Sequence, residues 1–159
     1  MTTLAINADL GFDQFFSKSY GFNRIPSGSV GQNEASITFG WKNDITSDLM
    51  EISNDCSQSD WDGYEAMAVT SNEINIARKF LSMLPESIKT PEVSPDPDGA
   101  ISFNWGEGHD LLFSVSPTNN LLFYAGIFPN GAKTHGQIPY YVEIPKEITI
   151  ILSRFFREI

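Results

Sequence analysis

Residues Ile101–Phe128 of this chain, ISFNWGEGHDLLFSVSPTNNLLFYAGIF, decide the fold class. Apolar and polar side chains alternate over Ile101–Trp105, and apolar side chains occupy every second position of Leu111–Val115, so both segments predict half-buried strands. Gly106–His109 has the length of a hairpin loop. Leu121–Phe128 is apolar on both faces and predicts a central strand. The three strands together form an antiparallel meander.

An amphipathic helix is predicted on each side of this meander. The first covers about residues 71–84: Thr70 and Glu73 match a capping box, apolar side chains form a wide stripe, and Pro85 ends the helix. The second covers about residues 145–157 and opens with a proline. Consecutive strands with helices outside the run favour an α+β fold, in which an antiparallel sheet of four or five strands has both helices packed on one face.

The rest of the chain is less regular. Its 159 residues favour one domain, with an aromatic N-terminal segment and loop at 1–35 and the α+β core at 36–159. The remaining predictions are a short helix over Asp13–Ser19, a strand at Ile37–Trp41, a short helix from Ile45 to Ile52 with Thr46 or Ser47 near its N-cap, a loop from Ser53 to Asp60, an entry loop at Pro91–Asp98, a polar loop containing His135 and a strand at Tyr140–Ile144.

The charge of the chain argues against several classes of partner. Asp and Glu number 20 against 10 Lys and Arg, which gives a formal net charge of −10. Binding to nucleic acid or to an anionic membrane without sequence specificity requires clustered bases, so we predict that the protein binds neither directly. The single cysteine excludes an internal disulfide and fits a reducing compartment. Since no targeting signal and no apolar run of about 20 residues is visible, we predict a cytoplasmic protein.

Four sequence landmarks occur in one order between Asp60 and about Ala125. They are Trp61-Asp-Gly-Tyr-Glu-Ala66, Phe80-Leu-Ser-Met-Leu-Pro85, Pro97-Asp-Gly-Ala-Ile101 and Asn104-Trp105. This order resembles a widespread group of small uncharacterised bacterial and phage proteins that carry a Trp-Asp-Gly-Tyr motif. The resemblance implies a bacterial or phage origin and a shared fold, and it implies no particular activity.

The residues that would support nucleophilic catalysis are few. Cys56 could pair with His109 or His135, but Asp55 and the other polar neighbours of the thiol would raise its pKa rather than lower it. No glycine-rich phosphate loop of the Gly-Lys-Ser/Thr type occurs. We therefore predict no catalytic residues and no cofactor.

Metal binding is also disfavoured by the ligand types and their spacing. One cysteine and two histidines at long separations do not make a zinc site. Asp60-x-Asp62 and Asp96-x-Asp98 begin like calcium loops, but the fifth position of each loop holds a residue that breaks the register of an EF-hand. Turns that begin at an aspartate explain both segments better.

The acidic block, which we define as residues 43–77, is the most distinctive feature of the sequence. It carries eight acids and no Lys or Arg. Such a segment is either a solvated acidic surface or an interaction face for a basic partner. Trp61 and Tyr64 lie inside it, as interface anchors or as fillers of the core. The residues predicted to bind the partner are Asp44, Asp48, Asp55, Asp60, Trp61, Asp62, Tyr64 and Glu65.

These features favour a non-enzymatic protein that engages a basic protein surface. Fixed carboxylates can occupy Lys and Arg sites that otherwise hold phosphates, as in an antitoxin or a phage inhibitor of a CRISPR effector. Two alternatives stay open at this point. One is a small hydrolase or transferase that uses an Asp/Glu pair near His109, and the other is an accessory or structural subunit.

Overall fold

The computed structural model describes residues 40–106, 112–128 and 130–157. Helices and strands of these ranges follow the predicted α+β order, with a sheet preceded and followed by helix. Their bounds are α1 Trp41–Asp55, α2 Ser71–Met83, β1 Glu92–Pro95, β2 Ile101–Gly106, β3 Leu112–Pro117, β4 Leu121–Ile127, β5 Lys133–Pro139 and α3 Lys146–Arg157. The predicted fold class is confirmed.

The sheet is an antiparallel meander in the order β1-β2-β3-β4-β5. Cross-strand register aligns Val93 with Phe103, Phe103 with Val115, and Val115 with Tyr124. Directly opposed side chains point to the same face of a sheet, so this row belongs to one face. The apolar residues of that row, and of the next rows on the same face, form the core.

The helices cover this face of the sheet. Leu49 of α1, Phe80 of α2 and Ile148 of α3 are all buried in the same cluster as the sheet residues. The rings of Phe80 and Phe103 meet edge to face with centroids 4.8 Å apart, a favoured aromatic geometry. One continuous core therefore joins helices at both ends of the described chain to the sheet between them.

Helix α2 begins where the capping box places it, but its cap is bonded differently. The Thr70 hydroxyl accepts a hydrogen bond from the Asn72 amide at 3.3 Å and donates one to the Glu73 carboxylate. In the expected box, Glu73 would instead accept from the Thr70 amide. The backbone becomes extended at Leu84, as the following Pro85 requires.

The first described helix is longer than the sequence pattern indicated. Trp41 starts α1 instead of ending a strand, and residues 37–39 of that predicted strand lie outside the described ranges. Thr46 and Ser47 lie within the helix rather than at its N-cap, because α1 begins at Trp41, and their hydroxyls donate to carbonyls four residues earlier, at 2.7 and 3.2 Å. The helix continues to Asp55, so the predicted loop at 53–60 begins later.

Both outer strands of the sheet were mispredicted. β1 lies within the predicted entry loop, and β5 is the predicted polar loop with His135. The strand expected at Tyr140–Ile144 is wrong, because Tyr140 follows β5 and the chain bends at 141–143. An edge strand buries little, so its sequence needs no apolar alternation; side chains of β5 are only exposed or half-buried. Pairing with β4 is what makes β5 a strand.

Two smaller differences concern positions within the predicted elements, and some predictions fall on residues that the structure does not describe. β4 is next to the edge strand, and β3 is the central one. Helix α3 begins at Lys146, one residue after Pro145, whose carbonyl accepts from the Ile148 amide at 3.0 Å. The predicted helix at Asp13–Ser19, the rest of segment 1–35, and residues 107–109 of the first hairpin loop lie outside the described residues.

Candidate functional site

Helix α1 arranges four acids of the acidic block along one flank. Asp44, Asp48, Glu51 and Asp55 follow one another at intervals of four, three and four residues, which keeps them on one side of a helix. The buried stripe of the same helix is Trp41, Ile45 and Leu49. The acidic stripe, as we call the four acids, therefore runs alongside the face that packs on the core.

Glu51 was not among the partner-binding residues predicted from the sequence, although it belongs to the acidic block. It joins Asp44, Asp48 and Asp55 only when one helix spans all four positions. The spacing itself was the available signal. The row of four acids was missed because the predicted helix, from Ile45 to Ile52, ended before Asp55.

The loop from Asp60 to Ala66 is closed by its own carboxylates. The Asp60 amide donates to the Ala66 carbonyl at 2.7 Å, and an Asp60 carboxylate oxygen accepts from the Glu65 amide at 2.9 Å. One Asp62 oxygen accepts from the amides of Tyr64 and Ala66, at 2.8 and 3.1 Å. Asp60 and Asp62 therefore stabilise the loop, in addition to any role toward a partner.

This loop turns sharply, with three residues in the left-handed region. The φ angles are 64° at Asp60, 75° at Gly63 and 68° at Glu65. Only glycine adopts such angles freely, so the hydrogen bonds of the two aspartates offset strain at Asp60 and Glu65. Reversing the charge of Asp60 or Asp62 would disturb this loop and is a poor test of binding.

Trp61 and Tyr64 have different environments in this loop. Trp61 is half-buried against the core, and its indole Nε1 donates to the Met67 carbonyl at 2.8 Å. Tyr64 is 87% exposed. The filler interpretation therefore fits Trp61, and the side chain available to a partner is that of Tyr64.

We expect the substitutions Trp61→Ala and Tyr64→Ala to separate these two environments. Tyr64→Ala should leave the free energy of unfolding within about 0.5 kcal/mol of the parent, as exposed substitutions usually do. Trp61→Ala should lower it by about 1–3 kcal/mol, since it removes a packed ring and a hydrogen bond. Urea denaturation measures both, and equal losses of stability would contradict the assignment.

A small cleft of about 60 Å³ lies between α1 and β1, and we call it the α1–β1 cleft. Its lining is Asp48, Glu51, Ile52, Asp55, Cys56, Val93 and Pro95. The Cys56 side chain is buried, and burial, followed by the charge of Asp55, raises the pKa of its thiol to about 11. The direction is the one predicted from the sequence, and it leaves the thiol neutral and weakly nucleophilic.

The Cys56 pKa predicts a loss of stability at alkaline pH. The unfolded thiol ionises near its ordinary pKa of 9.0, whereas the folded thiol stays protonated until about 11. The contribution of the Cys56 thiol to the free energy of unfolding is therefore complete below pH 9, and it is lost as the pH rises through 11. Burial also raises the pKa of Tyr140, which acts in the same direction.

Denaturation series of the parent and of Cys56→Ala, measured across this pH range, check the effect. We expect a shallower alkaline decline in the variant, with the Tyr140 part remaining. Parallel curves for the two proteins would mean that the Cys56 pKa is not shifted by folding.

The remaining candidates for metal binding or catalysis are two aspartates and two histidines. The aspartates form hydrogen bonds in the β1–β2 turn. Asp96 accepts a hydrogen bond from the Ser102 hydroxyl at 2.5 Å, and Asp98 accepts one from the Ala100 amide at 3.3 Å. His135 is exposed on β5, and His109 lies outside the described residues. In ranges 40–106, 112–128 and 130–157, no three or more His, Cys, Asp or Glu residues are grouped to hold a metal ion.

None of the helices that the structure describes is long and apolar enough to cross a membrane. Comparison of the chain with protein-family models, with curated proteins and with solved structures finds no match in any of the three. The resemblance to bacterial and phage proteins with a Trp-Asp-Gly-Tyr motif therefore stays a prediction.

Proposed function

We propose that this protein is a non-enzymatic acidic binding protein that engages a basic surface of a partner protein. The observation that carries the proposal is the acidic stripe: four carboxylates on one flank of α1, within the acidic block of residues 43–77, which contains no Lys or Arg. Like charges collected on one side of a rigid helix produce a local field that attracts a cationic surface. Tyr64, exposed in the neighbouring part of the chain, adds an aromatic group of the kind enriched at interfaces.

The function that suits such a surface is inhibition or neutralisation. A nucleic-acid-binding protein collects Lys and Arg where phosphates dock, and a fixed row of carboxylates can occupy the same positions. The partner would be a toxin or a nucleic-acid-binding defence effector, and binding would compete with its nucleic acid. The single free thiol, Cys56, fits action in the reducing cytoplasm.

The test is a pulldown from nuclease-treated extract of the source cell with three immobilised proteins. They are the parent, Glu51→Lys/Asp55→Lys, and the control Glu143→Lys/Glu147→Lys. Both variants change the net charge equally, and all four positions are exposed. We expect parent and control to retain the same basic protein, and the α1 variant to lose it.

Two further observations should accompany this result. Rising salt should weaken the retention, because exposed charges are screened. Added DNA or RNA should displace the partner, because both compete for the same bases. If the α1 variant retains the partner as well as the parent does, the proposal is wrong.

A further inference from the structure

We infer that the α1–β1 cleft binds the side chain of a lysine from the basic partner, an inference that rests on the proposed function. The cleft joins two surfaces that a lysine requires. Ile52, Val93 and Pro95 supply an apolar wall, and Glu51 and Asp55 supply carboxylates. A lysine buries its aliphatic stem along an apolar surface and keeps its ammonium group among polar groups.

The carboxylates suit an ammonium group by their spacing. Glu51 and Asp55 are four residues apart on α1, so they are neighbours on its surface. Both are exposed, and neither forms an ion pair with a base in the part of the chain that the structure describes. An ammonium group has three donors and can bridge two carboxylates.

The end of α1 adds a second electrostatic reason. Asp55 is the last residue of the helix, where the macrodipole favours a cation, and the last turn carries no base. The neutral Cys56 thiol contributes no opposing charge. A lysine ammonium between Glu51 and Asp55 would experience both electrostatic attractions at once: that of the two carboxylates and that of the negative end of the helix macrodipole.

The size of the cleft argues against other occupants. Sites for small-molecule ligands usually measure about 300–1,000 Å³, well above the 60 Å³ found here. A slim unbranched chain suits the space better than an aromatic ring or a planar guanidinium.

The adjoining sheet edge is a poor site for pairing with another strand. Among the strands that the structure describes, β1 pairs only with β2, and Pro91 just before β1 and Pro95 at its end have no N–H to donate. The partner is therefore recognised by a side chain rather than by strand addition.

The test compares hexalysine and hexaarginine peptides on the parent and two variants. Ile52→Phe keeps every charge and fills the cleft, and Glu51→Gln/Asp55→Asn keeps the shape and removes two charges. We expect Ile52→Phe to weaken hexalysine binding several-fold and to leave hexaarginine binding unchanged. The charge variant should weaken the binding of both peptides. Equal hexalysine affinity for Ile52→Phe and the parent, by calorimetry at low salt, would overturn the inference.

Methyl NMR of the unsubstituted protein gives a second reading that does not depend on a variant. Hexalysine should shift the Ile52 and Val93 methyl resonances, and hexaarginine should not. Unshifted methyl groups would overturn the inference even if Ile52→Phe fails to fold. The proposed function is judged separately: partner capture that depends on Glu51 and Asp55 supports it, whether or not the cleft accepts lysine.

Discussion

Replacing Trp105 with alanine should lower the free energy of unfolding by about 3–5 kcal/mol, the range for truncating a buried large aromatic residue. Trp105 is 1% exposed on β2, and its indole Nε1 donates to the Lys89 carbonyl at 2.7 Å. Its ring centroid lies 6.2 Å from that of Phe113 on β3. The substitution would leave a cavity in the core and would remove the hydrogen bond to the Lys89 carbonyl at its margin.

Trp105→Phe is the matched control for this substitution. It keeps an aromatic ring in the core and removes the donor, so it should cost clearly less than Trp105→Ala. Chemical denaturation with a common slope for all three proteins measures the difference. A cost below about 1 kcal/mol for Trp105→Ala, typical of a surface substitution, would contradict the burial of Trp105 against Phe113 in the core.

Replacing Gly99 with alanine should cost on the order of 3 kcal/mol, because two unfavourable effects combine. Gly99 has a φ of 84° in the β1–β2 turn, a region that costs an L-residue about 1–2 kcal/mol. An added Cβ would lie 2.9 Å from the Ala68 carbonyl oxygen, and backbone cannot move aside as a side-chain tip can. Nearby, the Met67 amide donates to the Pro97 carbonyl at 2.8 Å, so the clash would separate two segments joined by that bond.

Gly63→Ala isolates the two effects. Gly63 has a φ of 75°, close to that of Gly99, but an added Cβ would meet no atom within 4 Å. Gly63→Ala should therefore lower the free energy of unfolding only by the cost of the left-handed backbone angle, about 1–2 kcal/mol. Thermal or urea denaturation of both variants tests this, and equal costs would show that the contact between Gly99 and Ala68 is not tight.

The sequence determined the fold class and the elements that bury a face. α2, β2 and β3 have apolar side chains at the period of their structure, because each packs one face against the same core, and β4 is marked by an apolar run on both faces. Thr70 and Pro85 marked the ends of α2 through local effects: a hydroxyl that accepts from an early amide, and a ring that ends the helix. Such signals depend only on neighbours in the chain.

The candidate site could be predicted only in outline. Its location in the acidic block follows from charge counting, and the single cysteine could be judged from its neighbours. The acidic stripe required the full length of α1, and the cleft required β1 beside it. The roles of Asp60 and Asp62 in closing their loop depend on hydrogen bonds to amides up to five residues away, which composition does not reveal.

Tertiary structure alone decided the edge strands and therefore the surface on which the proposals rest. β5 is a strand because β4 offers it a row of hydrogen-bonding groups, and β1 is a strand because β2 does the same. The stabilisation of these strands comes from backbone pairing between distant residues, which leaves little periodicity in the side chains. The same pairing brings Val93 and Pro95 beneath α1, some forty residues earlier in the chain, and so creates a cleft that no local pattern encodes.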